Sequence, residues 1–169
     1  MANTKVFFIN DIEKKTYTDF VELVYSHDGN ILIVLESGGG TCPHMYGIVD
    51  LINAPENTDR ISITAIGHIY SSAFELFISA KCKKTIVAPL IGMFHIMRFT
   101  GGSLLENGKP IISTEDEVLM DNYKEIRHRS QKIIDAAGFT PKQVKEFWKG
   151  HDFYFTTSEI EKIIENYKH

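Results

Sequence analysis

A glycine-rich turn, a serine at the start of a helix and a histidine in an apolar stretch are the residues of this chain best suited to chemistry. The turn is Ser37-Gly38-Gly39-Gly40. Glycines let the backbone approach a ligand closely and leave N–H groups free to face developing negative charge. Ser71, after a second apolar run, can act as a nucleophile at a helix N-terminus. His95 lies in an apolar run, where an imidazole needs a hydrogen-bond partner.

Each of these three features also has a purely structural interpretation. The glycines can form a tight connection between a strand and a helix without any ligand. The serine can be an ordinary helix N-cap. The histidine can be a hydrogen-bonded residue of the core. Their combination and order along the chain are more specific than any one of them.

The elements that position these residues follow from the hydrophobic pattern of the first hundred residues. Apolar runs typical of strands span residues 6–9, 31–35, 61–66, 85–88 and 91–97, and helical periodicity spans 13–27, 44–54 and 71–81. The uninterrupted run 31–35 predicts a strand covered on both faces, and Gly67 is predicted to close the strand 61–66. The alternation predicts an α/β fold with a largely parallel sheet and right-handed crossovers. In such sheets ligands bind at the carboxyl ends of the strands.

The second half of the chain has a different pattern, dominated by helices. Turns are predicted at Gly101-Gly102 and at Asn107-Gly108. The further predicted elements are a long helix over 115–137 ended by Gly138, a helix begun by Thr140 and Pro141, a strand over 153–155 and a last helix capped by Thr157 or Ser158. No repeat or linker divides the chain, so residues 1–169 are predicted to form a single domain.

Composition and charge exclude several classes of function. The 169 residues are 43% hydrophobic and 24% charged, as in ordinary globular proteins. A net charge of −4 without a basic block disfavours nucleic acid as a partner. Cys42 and Cys82 are predicted to be reduced and buried. With no signal segment or membrane span, a soluble cytoplasmic protein is expected. No metal-ligand or phosphate-loop spacing occurs, and no cofactor is expected.

The order of the three features resembles the proteolytic subunits of Clp proteases. That family has a Ser-Pro-Gly-Gly turn, then Gly-x-x-x-Ser-Met at the nucleophile, then Met-Ile-His at the base. Here the matching stretches are residues 37–40, residues 67–72 and Met93-Phe94-His95. Residues 138–141 and 151–159 look like the family's later turn and its acidic residue before a phenylalanine. The similarity covers the chain from about Lys5 to Glu159.

The resemblance implies a fold and an assembly. The fold would be that of the Clp protease and crotonase superfamily, a superhelix of repeated β-β-α units with a mostly parallel sheet and a protruding handle helix. Residues of about 1–100 and 139–169 would form the head, and about 101–138 the handle region. The chain would assemble into a homo-oligomeric ring, as a heptamer or double heptamer, that hydrolyses peptides or unfolded protein inside. An early first strand, at Lys5 or Val6, disfavours docking of an ATP-driven unfoldase.

The resemblance also implies roles for individual residues of a serine endopeptidase. Ser71 would be the nucleophile, His95 the base, and Asp152 the residue that orients His95. The backbone N–H groups of Gly39 and Ser72 would form the oxyanion hole. The peptide would bind as an added strand along Gly38, Gly40 and Thr41, and beside the Gly101-Gly102 region.

The sequence departs from the family pattern near the nucleophile, which leaves alternatives open. Gly38 replaces the proline of the turn, and Ile69-Tyr70 replaces a small pair. Because Ser72 replaces the methionine, Ser72 is an alternative nucleophile. Glu146 and Glu159 are alternatives to Asp152, and His151 is predicted to face solvent.

Three functions compete on this evidence. The first is the endopeptidase, including a variant that serves as a viral head-maturation protease. The second is a crotonase-type acyl-CoA enzyme, which shares the fold and stabilises a thioester enolate at a similar pair of N–H groups. The third is a non-catalytic ring subunit with the same fold. The presence of all three triad residue types favours the first.

Overall fold

A sheet of six strands forms the frame of the molecule in the computed structural model, which describes residues 3–99, 102–103, 105–106, 109–110 and 117–169. Its strands are β1 (Thr4–Ile9), β2 (Asn30–Ser37), β3 (Ile61–Tyr70), β4 (Lys83–Ile86), β5 (Ile91–Phe94) and, near the C-terminus, β10 (Phe153–Phe155). Between them lie four two-residue strands, β6 (Arg98–Phe99), β7 (Gly102–Ser103), β8 (Leu105–Glu106) and β9 (Lys109–Pro110). The predicted turns at Gly101-Gly102 and Asn107-Gly108 fall largely outside the described residues.

The strands are ordered β1-β2-β3-β5-β10, and β4 pairs with the first half of β3. The pairs among β1, β2, β3, β4 and β5 are parallel, and β10 is antiparallel to β5. The predicted α/β class with a largely parallel sheet is therefore confirmed.

Six helices accompany the sheet in the described part of the chain. They are α1 (Lys14–Ser26), α2 (Cys42–Asn53), α3 (Ser72–Ser79), α4 (Glu117–Ala136), α5 (Pro141–Phe147) and α6 (Thr157–Asn166). Gly138 ends α4 with a φ of 65°, and Thr140 begins α5 with a capping box, as predicted. The cap of α6 was predicted wrongly, because Thr156 makes the capping box with Glu159. No helix among the described residues has the length and apolar character needed to cross a membrane.

Burial alternates along β2, which corrects the prediction of a strand covered on both faces. Ile31, Ile33 and Leu35 are fully buried, whereas Leu32 and Val34 between them are only half-buried. Ile31, Ile33 and Leu35 belong to the hydrophobic core. All eight residues of the helix α3 are buried. The opposite face carries exposed apolar side chains on the strands β1, β5 and β10, namely Val6, Phe8, Ile91 and Tyr154.

Two strand boundaries also differ from the predicted ones. β3 does not stop at Gly67. This glycine takes a φ of 60°, and the strand continues beyond it as far as Tyr70. The positive φ favours glycine at residue 67, and a Cβ there would also displace the Glu36 carboxylate, whose Oε1 would lie 2.1 Å away. β5 ends at Phe94, and His95 therefore follows the strand instead of lying inside it.

Candidate active site

The three predicted triad residues lie at the same end of three adjacent strands. Ser71 follows β3, His95 follows β5, and Asp152 precedes the antiparallel β10. Tyr70 pairs with Met93, and Phe94 pairs with Phe153. Continuing these registers by one residue brings the backbones of Ser71, His95 and Asp152 to one edge of the sheet.

Ser71 has a backbone conformation that few residues adopt. Its φ of 57° and ψ of −126° make it the one non-glycine residue with positive φ in the described ranges. Such a conformation costs on the order of 1–3 kcal/mol and persists only where the surroundings enforce it. The Ser71 N–H donates to the Met93 carbonyl at 2.8 Å, which holds the turn against β5.

Ser71 is also not a conventional N-cap. It occupies the N-cap position of α3, but its hydroxyl accepts no capping hydrogen bond from the described residues of that helix. The simplest structural explanation of this serine is therefore not supported. A strained serine between a strand and a helix, with its hydroxyl outside the cap, is the arrangement of a nucleophile turn.

The glycine turn packs directly on Ser71, as the sequence order suggested. Gly39 has a φ of 108°, and a Cβ there would lie 2.8 Å from Ser71 Cβ and 3.3 Å from Ser71 Oγ. Any larger residue would collide with the serine and with the carbonyl of Tyr70. The backbone of residue 39 is thus next to the candidate nucleophile, where an oxyanion donor has to be.

The N–H group of Gly39 already has a partner in this conformation. It donates to the buried Ser37 Oγ at 3.0 Å. The sequence analysis did not predict this role for the Ser37 hydroxyl, although a hydroxyl that accepts from an N–H two residues later is a recognised local hydrogen-bonding pattern. To serve as an oxyanion donor, Gly39 has to exchange this bond for one to substrate.

Part of the edge predicted to bind peptide is paired within the chain. The Gly39 carbonyl accepts from the Ile12 N–H at 3.0 Å, and the Thr41 N–H donates to the Ile12 carbonyl at 2.8 Å. Gly40 forms an isolated parallel bridge with Ile12. Gly38, Gly40 and Thr41 are all exposed. Gly38 differs from Gly40 because open space lies where its side chain would be, whereas a Cβ on Gly40 would lie 2.1 Å from the Ile12 carbonyl oxygen.

Ser72 is buried, and its hydroxyl is engaged in a hydrogen bond. Its side chain is 3% exposed, and its Oγ donates to the Gly40 carbonyl at 3.2 Å. This bond fixes the glycine turn on the first turn of α3. Ser72 is the first residue of α3, so its backbone N–H has no carbonyl in the same helix to which it can donate a hydrogen bond.

His95 is half-buried and oriented by the backbone. Its Nδ1 lies 2.6 Å from the Ile96 carbonyl. Because a carbonyl can only accept, Nδ1 carries a proton in this contact, and in the neutral imidazole the lone pair is then on Nε2. That tautomer is the one a general base requires. Within the described residues, no hydrogen bond joins His95 to Ser71.

The three acidic residues considered as partners of His95 differ in their exposure and in their contacts. Asp152 is exposed at the start of β10. Glu159 is occupied as the capping carboxylate of α6, where its hydrogen bonds to Thr156 lower its pKa. Glu146 lies 3.9 Å from Lys142 on α5. His151 is exposed, as predicted. Continuing the register of β10 and β5 by one residue brings Asp152 opposite His95, and neither glutamate lies in that pairing.

A row of side chains beside the site was not foreseen from the sequence. Tyr70, Met93 and Tyr154 occupy one row across the strands β3, β5 and β10, on the face of the sheet opposite to the buried core side chains. The rings of Tyr70 and Tyr154 meet edge to face with centroids 6.3 Å apart. Ile69, the other large residue before the nucleophile, is fully buried. Because Tyr70 directly precedes Ser71, the row borders the end of the sheet where Ser71 lies.

Comparison with known proteins does not assign the chain to a family. It matches no family model, and it matches no curated protein.

Proposed function

We propose that this protein is a serine endopeptidase with the fold of the Clp protease and crotonase superfamily. Ser71 is the nucleophile, His95 the general base and Asp152 the residue that stabilises the histidine. The observation that carries the proposal is the strained, non-capping conformation of Ser71 against the backbone of Gly39. Its position beside His95 and Asp152 in strand register supports the same roles.

The reaction follows from these positions. Ser71 Oγ attacks the carbonyl carbon of the peptide, and its proton passes to the Nε2 lone pair of His95. His95 then gives that proton to the leaving amine, and the acyl-serine ester forms as the C–N bond breaks. Water, deprotonated by His95, hydrolyses the ester and restores the Ser71 hydroxyl. Asp152 stabilises the imidazolium during both steps.

The tetrahedral oxyanion would be bound by the N–H groups of Gly39 and Ser72. Loss of one such donor costs about 10²–10³-fold in rate. Because Gly39 N–H is bonded to Ser37 Oγ, the conformation described above is a resting one, and substrate has to displace that bond. His95 likewise has to turn its Nε2 toward Ser71.

A ring or other homo-oligomer belongs to the same proposal. Val6 and Phe8 of the edge strand β1 are 50% and 63% exposed on the face of the sheet opposite to the buried core side chains, and Ile91 and Tyr154 lie on that face too. A second copy of the chain that covers this face would remove these side chains from water. Sedimentation of the wild-type protein tests the assembly, and a monomer at all concentrations would contradict it.

Labelling with a fluorophosphonate, read by intact mass, tests the nucleophile. We expect one adduct per chain in the wild type and in Ser72→Ala, and none in Ser71→Ala. An adduct lost only in Ser72→Ala would move the nucleophile by one residue.

A non-catalytic homologue is the second candidate, and one observation favours it. Gly39 N–H and His95 Nδ1 are both satisfied by neighbouring residues, at 3.0 Å and 2.6 Å. If no oligomeric state is labelled, this function replaces the peptidase. The crotonase-type alternative would then be tested by adding acyl-CoA thioesters and measuring the melting temperature.

A further inference from the structure

A cavity of about 350 Å³ lies where the helix α4 meets the ends of α2 and α3. Its walls include Asp50 and Asn53 of α2, Ser79 at the end of α3 and Arg129 of α4. Because α3 has eight residues and a helix rises by 1.5 Å per residue, its two ends are about 12 Å apart. The candidate nucleophile precedes the first end of α3, and the cavity borders the other end. The cavity is therefore separate from the site described above.

Hydrogen bonds join the walls of this cavity to one another. Asn53 Nδ2 donates to the Ser79 carbonyl at 3.1 Å, and the Lys81 N–H donates to Asn53 Oδ1 at 2.6 Å. The hydroxyl oxygens of Ser79 and Tyr167 are 3.3 Å apart. These contacts connect α2, the end of α3 and the segment that follows α6. The cavity is therefore formed in the absence of a ligand, as is usual for sites that bind small molecules.

The walls carry more basic than acidic side chains. The basic residues are Lys81, His128, Arg129, Lys132 and His169, and the acidic ones are Asp50 and Glu125. Both carboxylates contact the same guanidinium group, since Arg129 Nε donates to Glu125 Oε1 at 2.7 Å and Arg129 Nη1 lies 3.7 Å from Asp50 Oδ1. In the part of the chain that the structure describes, no carboxylate pairs with Lys81 or Lys132. Two ammonium groups from different elements therefore line the cavity without a counter-charge from these residues.

The excess of positive charge is local to this cavity. The whole chain has a net charge of −4, whereas three positive side chains meet two negative ones here when both histidines are neutral. The positive field reaches His169 at the edge of the cavity. Burial lowers the pKa of its imidazole, and three nearby lysines, among them Lys81 and Lys132, lower this pKa further. An anion between the two lysines would relieve the repulsion among these like charges.

We propose that this cavity binds the phosphate group of a small soluble molecule between Lys81 and Lys132. Two ammonium groups suit a dianion better than a single carboxylate, and lysine binds phosphate as a point charge. A volume of about 350 Å³ is at the lower end of the range for small-molecule sites and leaves room for an organic group beyond the phosphate. The Tyr167 ring, which packs edge to face against His169 with centroids 5.1 Å apart, offers an aromatic surface for that group. The bound phosphate would link α4 to the segment that follows α3.

Calorimetric titration of the protein with inorganic phosphate and with phenyl phosphate, at an ionic strength fixed with sodium chloride, tests this site. We expect saturable binding of both anions to the wild type, and tighter binding of phenyl phosphate because its ring can contact Tyr167. Lys81→Gln and Lys132→Gln should each weaken binding about tenfold, since each removes a charge-assisted hydrogen bond. Lys142→Gln, which removes a lysine 3.9 Å from Glu146 on the surface of α5, is the matched control and should bind as the wild type does.

The absence of saturable binding at millimolar concentrations would overturn the proposal, as would equal affinities in the wild type and both lysine variants at the cavity. Binding to phosphatidylglycerol vesicles without binding of either soluble phosphate would also overturn it. Amide NMR with inorganic phosphate locates the site without any variant, because the signals of residues 79–81 and 128–132 should shift most. Shifts spread evenly over the exposed lysines of the molecule would contradict the site. Neither measurement depends on labelling of Ser71, so their outcome is distinct from that of the proposed peptidase function.

Discussion

Two polar residues at the start of α3, Ser71 and Glu75, are placed by the fold in opposite environments. At Ser71 the backbone is strained, and the hydroxyl is not used to cap the helix. At Glu75, one turn later, the backbone is helical and the residue is buried. The half-buried first position has a cost in backbone energy, and the second position has a cost in desolvation. This contrast separates a group suited to chemistry from a group whose ionisation is coupled to the stability of the fold.

The pH dependence of stability tests the second position and has the largest expected effect on stability. Burial raises the pKa of Glu75 in the folded protein from 4.5 to about 7. Its contribution to stability is therefore complete below pH 4.5 and is lost as the pH rises to about 7, a change on the order of 3 kcal/mol. In Glu75→Gln this loss should be absent. Denaturant unfolding between pH 5 and 8 measures it, and parallel curves for the two proteins would contradict the assignment.

Gly39→Ala tests whether the glycine turn packs on Ser71. The added Cβ would lie 2.8 Å from Ser71 Cβ at a φ of 108°, so we expect a loss of about 2 kcal/mol in the free energy of unfolding. Labelling of Ser71 should fall with it. Gly38→Ala is the matched control, because nothing lies within 4 Å of its Cβ. Equal unfolding free energies for the two variants would show that the turn does not pack on Ser71.

Ser37→Ala sharpens the account of the resting state. Removing the hydroxyl frees the Gly39 N–H, at a cost of about 1 kcal/mol in stability. Because the freed N–H is then available to the oxyanion, the rate of phosphonylation should rise severalfold. The labelling rate measured by time-resolved intact mass checks this, and a slower rate than wild type would show that Ser37 assists the reaction instead of restraining it.

Ser72→Ala has the smallest expected effect. It removes the hydrogen bond from Ser72 Oγ to the Gly40 carbonyl, worth about 1 kcal/mol at most. Because the backbone N–H remains, the labelling rate should change by less than a few-fold. Thermal unfolding and labelling of the same sample measure both quantities. A complete loss of labelling would identify Ser72 as the nucleophile.

Much of the fold could be predicted from local pattern. The apolar runs of β1, β2 and β10 and the helical periods of α1 and α2 gave the order of elements, and Gly138 marked the end of α4. The extension of β3 past Gly67 could not be predicted, because a glycine with positive φ is equally typical of a strand end and of an irregularity within a strand. The end of β5 before His95 depends on its pairing with β10, which is remote in sequence.

The site was predictable only in its residue types. Ser71 and the glycine turn could be singled out because each stands at the carboxyl end of an apolar run. Their contact depends on the pairing of β2 with β3, about thirty residues further along the chain. The adjacency of His95 and Asp152 in register depends on the pairing of β5 with β10, across more than fifty residues. The burial of the Glu75 carboxyl group depends on tertiary packing, so no local signal could reveal it.

Hydrolysis of an unstructured peptide, followed by mass spectrometry, tests the central claim most directly. The protein should be compared as wild type, Ser71→Ala and His95→Ala, with the exposed His151→Ala as the matched histidine control. We expect cleavage by the wild type and by His151→Ala, and a loss of at least about 10³-fold in the other two variants. Cleavage that survives in Ser71→Ala or His95→Ala, or a wild-type protein that cleaves no peptide in any oligomeric state, would contradict it.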